Sequence, residues 1–147
     1  MAVPHRWKWL TVWLLGAVLS QSAQAVQGPQ RNYMLQCMGC HLEDGSGKPE
    51  RGIPNMAGVL GHFLRLPEGR ALIVQVPGVM NTPLDDRQVA DLMNWLLAGM
   101  AGTSRPADAP PYTADEVKAL RANRPADVPK ARAEVVRRLR AMGYAIE

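Results

Sequence analysis

The sequence predicts an all-α fold, one small domain followed by a helical C-terminal extension, and three stretches carry that prediction. Over residues 85–100 the apolar side chains Val89, Leu92, Met93, Leu96, Leu97 and Met100 recur at spacings of three and four, which gathers them on one helical face. Val128, Ala131, Val135, Leu139 and Met142 repeat that pattern near the C-terminus. Between residues 42 and 61 the composition turns to glycine, proline and charge, as in Asp44-Gly45-Ser46-Gly47-Lys48-Pro49, which is the chemistry of an irregular loop.

Taken in order, the chain opens on a basic stretch (His5, Arg6, Lys8), an apolar run of 11 residues from Trp9 to Leu19, and the small-x-small ending Ala23-Gln24-Ala25. This is the pattern of a secretory signal peptide over residues 1–25, and cleavage is expected after Ala25. The run falls well short of the roughly 20 residues of a permanent span, so an uncleaved anchor is the lesser alternative. No comparable run follows, so the mature chain is expected in the periplasm without stable membrane insertion. It carries 15 basic against 13 acidic residues, and that small excess gives no case for a nucleic-acid partner.

Arg31 to Gln36 reads as a short helix with Tyr33 one turn ahead of Cys37. It delivers the motif Cys37-Met38-Gly39-Cys40-His41, which holds both cysteines of the chain. A disulfide between residues so close removes little unfolded-chain entropy. A redox dithiol of thioredoxin type wants a strand-then-helix setting, which the residues from Arg31 to His41 do not offer. In an exported protein the motif is that of covalent haem c, the reading that uses all three side chains. Cys37 and Cys40 form thioethers on one side of a helical turn, and His41 ligates the iron. A dithiol or a metal site is the remaining alternative.

A second short helix is expected within Leu64 to Val76, starting near Pro67 or Glu68 and ended by Pro77-Gly78. The helix after Asp85 has an N-cap in Asp85, a capping-box partner in Gln88 and Gly99 behind its last turn. Beyond residue 104, Arg105-Pro106-Ala107-Asp108-Ala109-Pro110-Pro111 reads as a stiff linker. Thr113-Ala114-Asp115-Glu116 is a capping-box sequence, with Tyr112 and Val117 placed as a hydrophobic staple for a helix reaching Ala122. The stripe from Val128 to Met142 forms a further helix, stopped by Gly143. Residues 105–147 carry 9 basic and 6 acidic side chains, whereas residues 26–104 carry 6 and 7. Arg132, Arg137, Arg138 and Arg140 cluster on the polar face of the last helix. The plain reading is a solvated face whose apolar stripe packs back on the preceding domain; a docking surface for an acidic redox partner is the alternative. The stripe has no aromatic residue to favour a membrane surface.

With these features in view, residues 30–98 resemble the class I cytochrome c domain. The matching features are Tyr33 before the haem motif, Ile53-Pro54-Asn55-Met56-Ala57-Gly58, the Gly78-Val79-Met80 turn, and the closing helix with Trp95 near its end. The resemblance implies that the first and last helices of that domain cross near Tyr33 and Trp95. It further implies that the Pro54 carbonyl takes the other nitrogen of His41, that Met56 packs against the haem, and that Met80 ligates the far side of the iron. Two departures stand out: Leu42 occupies the usual place of a glycine, and the interval from His41 to Met80 is short, as in a compact bacterial form.

A methionine opposite His41 suits an electron carrier, because a thioether raises the potential relative to a second histidine. Met34 and Met38 lie too close to the motif to reach across the ring, and Met93 and Met100 fall on the apolar face of a helix. His62 is the competing ligand, and an open distal side is the third option. The leading function is a one-electron carrier between a periplasmic dehydrogenase and a downstream acceptor. The alternatives are an accessory haem subunit of a larger oxidoreductase, or a sensor or peroxidase-like protein. No histidine, arginine and acid constellation argues for peroxidase catalysis, so no catalytic residue is assigned.

Overall fold

A computed structural model describes residues 28–146; the expected signal peptide lies outside the described residues. Within them the regular structure is helical, as the periodicity predicts. Helix α1 (Pro29–Gln36) begins on a proline, whose fixed φ suits the first helical position. Cys37 caps it, and the one-turn helix α2 (Met38–His41) follows at once.

The sequence places one helix within residues 64–76, and the structure divides that stretch. A 3-10 turn, Leu60–Arg65, precedes α3 (Pro67–Gln75), and Leu66 between them is extended. The cause is Pro67, because a proline ring keeps the preceding residue out of the helical region. Pro77 repeats the effect: Val76 is extended, α3 ends, and the short helix α4 (Pro77–Met80) begins on the proline. Helix α5 (Asp86–Gly99) has both halves of its capping box, with Asp85 Oδ1 accepting from the Gln88 N–H at 2.8 Å and Gln88 Oε1 from the Asp85 N–H at 3.0 Å.

The extension forms α6 (Ala114–Ala122) and α7 (Val128–Ala141), with Gly143 at φ +91° turning the chain after α7. Helix α5 packs against both α1 and α6, while α3 packs against α6, α7 and the 60–65 turn. Seven apolar side chains of the extension (Tyr112, Val117, Val128, Val135, Val136, Leu139 and Ile146) are buried in one cluster with Tyr33, Leu72, Val74, Val89, Leu92 and Met93. The apolar stripe therefore packs back on the domain, although Met142 at its end stays half exposed.

Polar side chains of the domain hold the connecting segment. The Arg70 guanidinium donates to both carboxylate oxygens of Glu116, at 2.6 and 2.7 Å, and to the Pro110 and Pro111 carbonyls. Glu116 therefore does not complete the capping box expected of it. Only the Glu116 N–H to Thr113 Oγ1 half is present, because paired charge-assisted bonds to a guanidinium are stronger than one bond to a backbone amide. The staple is present, with Tyr112 and Val117 both buried. Asn94 takes both backbone groups of Tyr112, and Gln75 Nε2 donates to the Leu120 and Asn123 carbonyls at the end of α6.

Candidate functional site

Cys37 and Cys40 are free thiols on one helical turn, Cys37 partly buried and Cys40 exposed. His41 follows on the same turn, partly buried. Its Nδ1 lies 3.2 Å from the Pro54 carbonyl oxygen, a bond in which the ring nitrogen donates. That bond sets the tautomer: Nδ1 carries the proton and Nε2 keeps its lone pair for a metal. Burial lowers the His41 pKa and outweighs the opposing effect of the Pro54 carbonyl, a shift toward the neutral ring that a metal ligand requires.

The loop after the motif is built around that carbonyl. Gly47 sits at φ +69°, and a Cβ there would lie 2.5 Å from the Pro54 oxygen. Only glycine lets the two backbones approach so closely. The Lys48 and Ile53 backbones pair beside it, and the Met56 N–H donates to the Gly45 carbonyl at 2.8 Å. Met56 is partly buried and packs against the core. Five of the expected site residues, Cys37, Cys40, His41, Pro54 and Met56, thus belong to one locally braced unit. Met80 comes from a different element, as the last residue of α4, partly buried, its N–H held by the Val76 carbonyl.

Tyr33 and Trp95 meet where α1 and α5 cross, with ring centroids 5.6 Å apart. The Tyr33 hydroxyl donates to the Leu42 carbonyl at 2.5 Å, and burial pushes its pKa up to about 12, with Cys37 and then Asp44 adding to the rise. The sequence gives no sign of that bond; it shows only that a leucine stands where the resemblance implies a glycine. Leu42 stands at φ +62°, the one non-glycine residue with positive φ among the described residues, where the family's glycine would sit without strain.

His62 is engaged by the extension. Its ring stacks on Tyr144 at 4.5 Å, and the Arg65 guanidinium lies 4.6 Å from the centroid of that same tyrosine ring. Burial, with Arg65 adding to it, lowers the His62 pKa, and its Nδ1 is buried without a hydrogen-bond partner.

The donor set fits a haem. It offers two thiols on one turn, an imidazole fixed by its second nitrogen, and a thioether on a separate turn, together with half-buried apolar side chains at Met56, Val59, Val76 and Val79. Among the described residues no group of three His, Cys, Asp or Glu side chains converges as a bare metal ion would need. None of the described helices is long and apolar enough to cross a membrane.

No family model matches the chain. Two curated relatives do, both from Thermus thermophilus. One cytochrome c-552 of that organism is 29% identical over 127 residues, covering 74% of this chain and 85% of the relative. A second cytochrome c-552 is 30% identical over 105 residues, covering 59% of this chain and 79% of the relative.

Proposed function

The chain belongs to the c-type cytochromes, and from that premise we propose that it is an exported, monohaem electron carrier of class I. Residues 26–104 hold the haem and residues 105–147 cover the domain. Cys37 and Cys40 carry the thioether bonds, His41 is the proximal ligand, Met80 the distal one, and Pro54 and Met56 line the ring. Its donor is a periplasmic dehydrogenase, and it releases the electron to a further acceptor without itself catalysing a bond change.

The observation that carries this reading is the His41 Nδ1 to Pro54 bond at 3.2 Å beside two free thiols on the same turn. A haem c bound there supplies a reversible one-electron change at its iron. The chain's own residues make that change possible at little structural expense. Pro54 and Gly47 hold the His41 ring in one tautomer and orientation, so the proximal ligand need not move between oxidation states. The Tyr33 hydroxyl ties the Leu42 carbonyl and keeps the turn from opening behind His41. Met80 is favoured over His62 because the His62 ring is stacked beneath Tyr144, whereas Met80 ends a short turn clear of the extension's ring contacts.

The test is spectroscopic. The purified protein is expected to retain one haem through denaturation, and its oxidised form to show the weak sulfur-to-iron band near the red end of the visible spectrum. Met80→Ala should abolish that band and admit carbon monoxide to the reduced protein. An unaltered band in that variant would remove Met80 from the ligand pair. If the protein as isolated already took up carbon monoxide rapidly, the carrier reading would give way to an open-site one.

A further inference from the structure

We propose that the exposed basic face of α7 is the docking surface for an acidic protein redox partner, an inference that rests on the carrier reading. The charge of the chain is localised. Residues 26–104 are close to balanced, but α7 carries Lys130, Arg132, Arg137, Arg138 and Arg140 against one carboxylate, Glu134.

Arg138 and Arg140 tie α7 to other parts of the chain. Arg138 pairs with Glu68, and Arg140 Nε donates to the Ile146 carbonyl at 2.7 Å. Lys130 and Arg137 stand outward, in line with Arg140 at helical spacing, and the small residue Ala133 lies between them. The Glu134 partner of Arg137 is itself exposed and leaves that guanidinium open to solvent. A groove of about 330 Å³ is lined by Arg132, Ala133, Val136, Arg137 and Arg140.

Position joins this charge to the haem site. Arg140 also lines a second cavity of about 390 Å³ with Asn55 and Val59, and Asn55 directly follows the proline whose carbonyl holds His41. A partner seated on α7 thus lies beside the segment that fixes the proximal ligand. A protein partner is favoured over an anionic lipid surface because Val128, Val135, Val136 and Leu139 are buried in the core. The helix has no apolar stripe left to insert into a bilayer. In the transfer step one electron leaves the reduced partner's centre and reduces the ferric haem by one; no bond forms or breaks and no proton moves.

The experiment is stopped-flow reduction of the full holoprotein by a reduced acidic [2Fe–2S] ferredoxin, over ionic strengths from about 10 mM to about 0.5 M. K130E/R137E is compared with R87E/K118E, which makes the same change of net charge on α5 and α6. The α7 variant is expected to be slowed about tenfold at low salt with a flattened salt dependence, and the control to stay within about twofold of the parent. Should K130E/R137E fold poorly, the neutral K130Q/R137Q replaces it, with a smaller loss of the same sign. Equal slowing of both variants, or of neither, overturns the proposal. So does a result in which K130E/R137E loses binding to phosphatidylglycerol vesicles while its ferredoxin rate is unchanged, since the face would then be a lipid site. Failure of the carrier reading shows separately, as the lack of reversible one-electron reduction of the unaltered protein at an electrode, and it removes both.

Discussion

Replacing Leu42 by glycine should stabilise the protein, although it deletes a side chain. Leu42 stands at φ +62° and ψ 171°, a region that glycine enters freely and other residues enter at a cost of about 1–3 kcal/mol. Glycine removes that strain but gains freedom in the unfolded chain, which returns roughly 0.5–1 kcal/mol. The leucine side chain is partly exposed and is not among those packed on the core, so its loss subtracts only about half a kcal/mol more. The balance is a gain of about 1 kcal/mol, or a rise of about 0.3 M in the guanidinium midpoint for a domain of this size. Leu42→Ala is the necessary comparison. Alanine keeps a Cβ and hence the strain, while losing the rest of the side chain, so it should be less stable than the parent. The predicted order is glycine, then leucine, then alanine, read from equilibrium unfolding followed by haem absorbance and far-UV circular dichroism. An alanine variant as stable as the glycine variant would refute the reasoning, because the effect would then lie in the side chain and not in the backbone.

Three further outcomes follow from the packing of the extension and of His62. Arg70→Ala removes two bonds to Glu116, two to backbone carbonyls and a stacking contact with Tyr112, and should cost about 3 kcal/mol in equilibrium unfolding; a loss within experimental error would mean that the segment is held by its apolar contacts alone. Truncation after Ser104 removes seven buried apolar side chains, each worth about 1.5–3 kcal/mol of burial. Even after the entropy of ordering the extension is subtracted, the shortened protein should lose cooperative unfolding, and a native-like sharp transition would contradict that. His62 is held below its ordinary pKa near 6.5, so the folded state binds fewer protons than the unfolded one. Its share of stability is therefore present above about pH 6.5 and lost as the pH falls below it; His62→Gln should flatten the stability profile between about pH 7 and pH 5, and an unchanged slope would place the titrating group elsewhere.

The segment proposed to bind haem is legible in the sequence because its contacts are local. Cys37, Cys40 and His41 share one turn, and Pro54 lies only thirteen residues beyond His41. The capping box at Asp85 and the breaks at Pro67 and Pro77 are local in the same sense, although the 3-10 turn before Pro67 was not separated from α3 by periodicity alone. The departure at Leu42 was visible as a missing glycine, while its compensating bond from Tyr33 was not, since a phenol nine residues away gives no sequence signal. The polar contacts of the extension were hidden for a stronger version of that reason. Arg70, Gln75 and Asn94 look like ordinary surface residues of amphipathic helices, yet they bind backbone groups or carboxylates 18 to 48 residues further along the chain. Even the correctly recognised Thr113-to-Glu116 pattern was half diverted, because a guanidinium that tertiary folding brings near outcompetes a backbone amide.

This contrast between local and distant support bears on how the two proposed axial ligands are held. His41 is fixed from within its own loop: Gly47 admits the Pro54 carbonyl, the carbonyl takes Nδ1, and Tyr33 anchors the turn behind it. Each of these contacts lies within residues 33–54. Met80 is braced locally by the turn of α4 and by the Thr82 hydroxyl, which donates to the Val79 carbonyl at 3.0 Å, and the extended Val76 joins that turn to the end of α3. Helix α3 is in turn secured from the far side of the chain, with Arg70 bound to Glu116, Gln75 to the end of α6, and the helix packed on α7. The hydrogen bonds of the extension therefore bear on the element that carries the proposed distal ligand, whereas those that fix His41 come from its own loop. A thioether bonds iron more weakly than an imidazole held by a second hydrogen bond, so in the proposed pair the weaker ligand is the one on an element secured by residues beyond 104. With the proposed ligand pair, that arrangement would give the extension a role that the resemblance over residues 30–98 does not supply: its contacts hold α3, and through Val76 the start of α4, from beyond the domain that carries the motif.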